Sequence, residues 1–247
     1  MIQIDLFGNK LKEQKYYDSN KIFSDEEILN VAYEHFSKNG FPYYTCTKHE
    51  AMQKLNNLCA MQEKSSLLNS IQCLDVANSY HPQRLHVRCN GHLSPYEAFF
   101  KEKKLRKALL NEIKQNSLST RYPNFLSIVS GTQAASNFRP AFAMYIYRKY
   151  SKIGGSVLDT SAGFGGRLIG YIASGMNGKY TGIDPAIITQ QNNKNIFNDL
   201  GKNITVNLLT APAEDVTFDE EQFDLCFTSP PYFNREIYSN EETQSCN

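Results

Sequence analysis

The chain has 247 residues, room for one large domain or two small ones, and its 41% hydrophobic and 21% charged residues are ordinary for a globular protein. A net charge of +1 supplies no global basic field, although charge balance is silent on local patches. No apolar run approaches the roughly 18–20 residues a membrane span needs, and no signal peptide precedes the scattered cysteines, so the expectation is a cytoplasmic protein with reduced thiols and no membrane partner.

The first predicted helix opens at Ser24-Asp25-Glu26-Glu27, a capping-box pattern, and runs through Ile28, Val31, Ala32 and Phe36 to Gly40. A second is predicted from Lys48 to Glu63, with Met52, Leu55, Leu58 and Cys59 on one face. A turn-rich stretch from Tyr80 to His92 follows, with His81-Pro82 and Asn90-Gly91 in it. A third helix begins at Ser94-Pro95 and is expected to continue through Phe99, Leu105, Leu109 and Ile113. Residues 1–130 therefore read as a mostly helical N-terminal region, a substrate-recognition or accessory domain.

The pattern changes after Asn137. A helix is predicted over Pro140 to Tyr150, then a short apolar run, Ser156-Val157-Leu158-Asp159, as a first strand. Tyr180 to Asp184 is a second strand, Ile187 to Leu200 a polar helix stopped by Gly201, Ile204 to Leu209 a third strand and Phe223 to Thr228 a fourth. Alternation at this spacing predicts an α/β fold with a doubly wound parallel sheet over residues 131–247.

Between the first strand and a helix starting near Gly166 lies Asp159-Thr160-Ser161-Ala162-Gly163-Phe164-Gly165-Gly166-Arg167. Glycine there lets the backbone turn sharply and approach a ligand. The spacing is G-x-G-G, not G-x-G-x-x-G, and an acid stands four residues before the first glycine. That favours a cationic cofactor, S-adenosylmethionine, over a dinucleotide. Asp184, at the end of the second strand, is placed to accept hydrogen bonds from ribose hydroxyls. The bland alternative is an ordinary glycine-rich strand–helix turn.

The fourth strand runs directly into Ser229-Pro230-Pro231-Tyr232. Two prolines fix φ and remove two N–H donors, and Pro230 pushes Ser229 towards extended geometry. The resulting rigid loop offers acceptors, the Ser229 hydroxyl and the Pro230 carbonyl, and an aromatic face, Tyr232. Acceptors that hold both N–H groups of an aryl amine favour a pyramidal nitrogen and free its lone pair for methyl transfer. The alternative is a strand-terminating turn with a core tyrosine.

With both motifs in hand, the sequence resembles the amino-group DNA methyltransferases, which modify N4 of cytosine or N6 of adenine, over roughly Ser136 to Tyr238. Asp159-x-x-Ala162-Gly163-x-Gly165 is similar to that family's cofactor loop, Asp184 to its ribose acid, and Ser229-Pro230-Pro231-Tyr232 to its catalytic motif in the serine form. Asn137-Phe138-Arg139-Pro140 is similar to the segment that closes over the cofactor's methionine end, which implicates Phe138 and Pro140. The resemblance implies a Rossmann-like class I methyltransferase sheet, S-adenosylmethionine as cofactor and DNA as partner, with cytosine N4 favoured by the serine form.

Two departures accompany it. Where the family often has an acid that contacts adenine, this chain has Pro212, so Glu214, or Asp215 beside it, is expected to substitute. The family's sheet also carries more strands than are readable here, which implies an incomplete sheet and a complementing C-terminal fragment or subunit. Competing readings are methyl transfer to RNA or to a protein amide, and a non-catalytic S-adenosylmethionine-binding module. Cys46-x-x-His49 and His86-x-x-Cys89-x-x-His92 are too irregular in spacing for a zinc site, so no metal is expected. Lys101 to Lys107 is a basic helical run that reads first as a solvated face, with contact to a DNA backbone as the alternative.

Overall fold

The structure is a computed structural model that describes residues 23–62, 64–115, 118, 131–220, 222–231 and 235–238. Along the chain its helices include α1 (Asp25–Asn39), α2 (Lys48–Ala60), α3 (Lys64–Asn69), α4 (Leu74–Tyr80), α5 (Pro95–Phe99), α6 (Glu102–Lys114), α7 (Pro140–Tyr150), α8 (Gly166–Ser174) and α9 (Ile187–Leu200). Its main sheet is built from β1 (Ser156–Asp159), β2 (Lys179–Ile183), β3 (Thr205–Leu209) and β4 (Leu225–Cys226). The fold is therefore mixed α/β with an all-parallel four-stranded sheet. Among the described residues no helix is long and apolar enough to cross a membrane.

The chain divides into two compact units, residues 1–44 with 85–134, and residues 45–84 with 135–247. The boundary read near residue 130 falls close to one of these junctions. Residues 45–84, which were grouped by sequence with the N-terminal region, belong to the unit that holds the sheet.

In the first unit, α1 is set by a complete capping box. Ser24 Oγ accepts from the Glu27 amide at 3.3 Å, and the Glu27 carboxylate accepts from the Ser24 amide at 2.9 Å. The same device, Ser94 with Glu97, opens α5 with Pro95 at its first position. The core of this unit joins Ala32 and Phe36 to Phe41, Phe99, Leu105 and Leu109. The helix expected to run unbroken from Pro95 to Ile113 is two helices. Lys101 is extended, with φ −98° and ψ 103°, and starts α6. The physical reason is visible in the spacing: Phe99 and Leu105 are both buried yet six residues apart, off the helical period.

In the second unit the strand order is β3-β2-β1-β4, so the order reverses between β1 and β4. The register aligns Val157 with Tyr180 and Leu225, and Tyr180 with Val206. Backbone bonds from Asp224 to Ser156 and from Phe227 to Leu158, each 2.9 Å, extend the β4 ladder to the fringes of the predicted strand. Helix α8 is buried at every position, and α7 and α9 pack with it over a core of Met144, Tyr147, Leu168, Tyr180 and Ile196. Helix α2 ends at Ala60, short of the expected Glu63, because the Arg148 guanidinium takes the carbonyls of Cys59 (3.0 Å) and Met61 (2.6 Å) that a continuing helix would use.

Candidate functional site

All four strands deliver their carboxyl ends to one edge of the sheet, and the segments that follow them surround a cavity of about 540 Å³. Open parallel sheets bind ligands at such an edge, beside the point where strand order reverses, and the volume is that of a small-molecule site.

The loop after β1 forms the floor. Gly163 and Gly165 take φ of +56° and +75°, a region that costs a residue with a Cβ. Their reasons for being glycine differ. Around a Cβ at Gly163 there is only the Ser161 carbonyl, at 3.6 Å, and Gly163 lines the cavity. A Cβ at Gly165 would stand 2.4 Å from Ile196 Cδ1 on α9, and one at Gly166 only 2.0 Å from the Phe138 carbonyl. Gly165 thus serves packing and does not line the cavity, unlike its expected role in cofactor contact.

Asp184 closes the loop from the end of β2. Its carboxylate accepts from the Gly163 amide at 2.9 Å and from the Ala186 amide at 3.0 Å. Burial raises its pKa from 3.8 to about 6, against the lowering effect of those two amides. The carbonyl of Gly163 is held at 3.1 Å by Asn193 Nδ2, and Asn193 Oδ1 accepts from His81 Nε2 at 3.1 Å. Gln83 donates to His81 Nδ1 at 2.9 Å, so the neighbours hold a neutral imidazole, and burial lowers its pKa to about 3.

Asp159 is fully buried and faces inward. It accepts from Arg167 Nε and from the Tyr180 hydroxyl, both at 2.7 Å, and it does not line the cavity. Cofactor contact is expected of Asp159, but it is its partner that reaches the cavity wall. Arg167, whose side chain is 5% exposed, lines the cavity, bonds the Ser161 carbonyl and lies with its guanidinium 5.3 Å from the Phe138 ring centroid. Burial is the largest single influence and works to lower its pKa, but the charge and hydrogen bond of Asp159, with Tyr180 and Tyr147, together outweigh it and raise the pKa.

From the far side of the sequence come Ser229, half-buried, and Pro230 and Pro231, both exposed, and all three line the cavity. Tyr232 lies outside the described residues. Phe227, just upstream, packs edge-on against Phe138 (5.5 Å) and Tyr147 (5.3 Å), which fixes the strand that feeds this loop. Pro140 is buried at the first turn of α7 and does not line the cavity, whereas Phe138 does.

No family model, curated protein or solved structure matches the chain.

The site therefore stands on its own geometry. Of the residues singled out in the sequence, the cavity brings together Phe138, Ala162, Gly163, Asp184, Glu214 and the Ser229-Pro230-Pro231 run. Glu214 is exposed and lines it beside Pro212, and Asp215 does not. The pairing of His81 with Asn193 and that of Arg167 with Asp159 escaped sequence reading, though Arg167 directly follows the glycines. Asp184, Glu214 and Glu236 against Arg139 and Arg167 give the lining an acidic excess suited to a ligand carrying positive charge. Among the described residues no group of three His, Cys, Asp or Glu side chains stands together to hold a metal ion.

Proposed function

We propose that the chain is an S-adenosylmethionine-dependent methyltransferase acting on the exocyclic amino group of a DNA base, cytosine N4 before adenine N6. One observation carries the reading. A glycine loop, a half-buried carboxylate one strand over and a Ser-Pro-Pro loop, apart in sequence, line the same cavity at the carboxyl ends of a parallel sheet. The strand order β3-β2-β1-β4 agrees with the first four places of the order 3-2-1-4-5-6 of a Rossmann-like sheet, which supports this reading.

The residues suit the group. Open space at Gly163 admits a ligand against the backbone, Asp184 keeps lone pairs for ribose hydroxyls, and Phe138 offers an apolar wall. S-adenosylmethionine, when bound, supplies an electrophilic methyl group on a sulfonium. The chain's own task is to accept and orient the amine: Ser229 Oγ and the Pro230 carbonyl accept its N–H groups, and Tyr232 stacks on the base. A duplex base has to leave the stack to reach such a loop.

Calorimetry with S-adenosylmethionine, followed by tritiated methyl transfer to DNA, RNA and protein with nucleoside analysis, tests this. The expected label is on an exocyclic nitrogen of DNA. Ser229→Ala should lower turnover roughly 10- to 100-fold, the worth of one acceptor, with cofactor affinity little changed. Label on a ring carbon, or cofactor binding with transfer to none of the three substrates, overturns the reading.

A further inference from the structure

The structure assigns Arg167 a role that rests on the cofactor reading: we propose that its guanidinium binds the α-carboxylate at the amino-acid end of S-adenosylmethionine and makes the site selective for a carboxylate-bearing ligand. A guanidinium has five N–H donors in a rigid fork. Here Nε donates to Asp159 and Nη2 to the Ser161 carbonyl, and Nη1 has no partner among the described residues. The side chain is held by these two bonds and by the Phe138 ring, lines the cavity and is otherwise buried.

Neutralising Asp159 is too small a reason for this cation. Asp159 already receives the Tyr180 hydroxyl, and a buried Asp–Arg pair is generally no more stabilising than apolar side chains of the same volume. What the pair provides is a fixed donor fork beside the glycine loop. Charge-assisted, geometrically matched bonding to a carboxylate is what such a fork does best. Asp184, on the next strand, faces the loop from the side read as the ribose position, which leaves Arg167 for the amino-acid end. Arg139 also lines the cavity, but it has no hydrogen bond that fixes it among the described residues.

The test compares two ligands that differ by one group, S-adenosylmethionine and its decarboxylated form, by calorimetry on the full chain. The wild type should bind S-adenosylmethionine at least tenfold more tightly. Arg167→Gln should bring that ratio close to one, and Arg167→Lys should keep part of it. Since Arg167→Gln leaves a buried carboxylate alone, the double variant Asp159→Asn with Arg167→Gln repeats the measurement with the charge removed on both sides. A wild-type ratio near one overturns the assignment before any variant is made. So does a ratio that responds to Arg139→Gln and not to Arg167. Failure of the wild type to bind either ligand overturns the cofactor reading itself, and this inference with it.

Discussion

His81 is buried, Asp184 is half-buried at the cavity, both are tied to the Gly163 peptide, and desolvation moves their acidities in opposite directions. The folded Asp184 carboxyl, at about 6 against 3.8, binds its proton more tightly than the unfolded chain does, so its contribution to stability falls as pH rises from about 4 to 6. The folded imidazole, at about 3 against 6.5, binds its proton less tightly, so its contribution is present above about 6.5 and is lost as pH falls towards 3. Each slope reaches at most roughly 1.4 kcal/mol per pH unit, and between pH 4 and 6 they oppose each other. Urea unfolding at pH 4, 5, 6 and 7 should therefore show Asp184→Asn more acid-sensitive than wild type and His81→Phe less so. Variants that keep the wild-type slope would remove this account of both residues. The carboxylate is also the acceptor proposed for ribose hydroxyls. Affinity for 5′-methylthioadenosine, which lacks the ionising amino-acid end, should then rise from pH 5 to 7 in the wild type and stay flat in Asp184→Asn. Asp184 was legible in the sequence because it ends a β-branched strand next to a glycine loop. His81 was not: it read as a turn residue, and its partner Asn193 is 112 positions away.

At the scale of elements, the segments whose signals are local came out closest to prediction. Helices α7 and α9 and strand β1 follow from a proline start, a glycine stop and an apolar run respectively. Helix ends set by distant groups did not. The Arg148 guanidinium of α7 donates to four carbonyls, Cys59 and Met61 at the end of α2, and Ala173 and Ser174 at the end of α8. One cation thus satisfies the orphan acceptors of two helix termini and complements both dipoles. Arg148→Met keeps most of the aliphatic stem and leaves those carbonyls unpaired. It should cost about 2–4 kcal/mol of unfolding free energy, with Arg148→Lys recovering a part. Urea denaturation with an unchanged slope and a lower midpoint is the expected result, and a midpoint equal to wild type would show the carbonyls to be satisfied without it. Helices α3 and α4 illustrate the opposite limit: six and seven residues long, they are too short to show a hydrophobic period, and α4 starts from Cys73 at φ +63° with no side-chain cap.

For the chain as a whole, the reading of 131–247 as the cofactor-binding part and the composition of the folded unit make different predictions about a fragment. Every described residue lining the cavity lies at or beyond Ser136, so the lining alone suggests that 131–247 is enough to form it. The core says otherwise. Leu55, Leu58, Leu67 and Val76, from residues 45–84, are buried with Met144, Leu168, Ile196 and Leu200 in one cluster. At about 1.5–3 kcal/mol for each large apolar side chain, losing that layer removes on the order of 10 kcal/mol. This matches the entire net stability of a typical domain, about 5–15 kcal/mol. Residues 131–247 expressed alone should therefore lack a cooperative calorimetric transition and near-ultraviolet circular dichroism, and should bind S-adenosylmethionine at least tenfold more weakly than the full chain, although no described lining residue has been removed. A fragment 131–247 that unfolds cooperatively and binds as tightly as the full chain would show that α2 and α4 decorate the sheet unit instead of completing its core. That layer was hard to see in the sequence because its helices pack against α7, α8 and α9, far along the chain, and nothing in residues 45–84 says which sheet they cover.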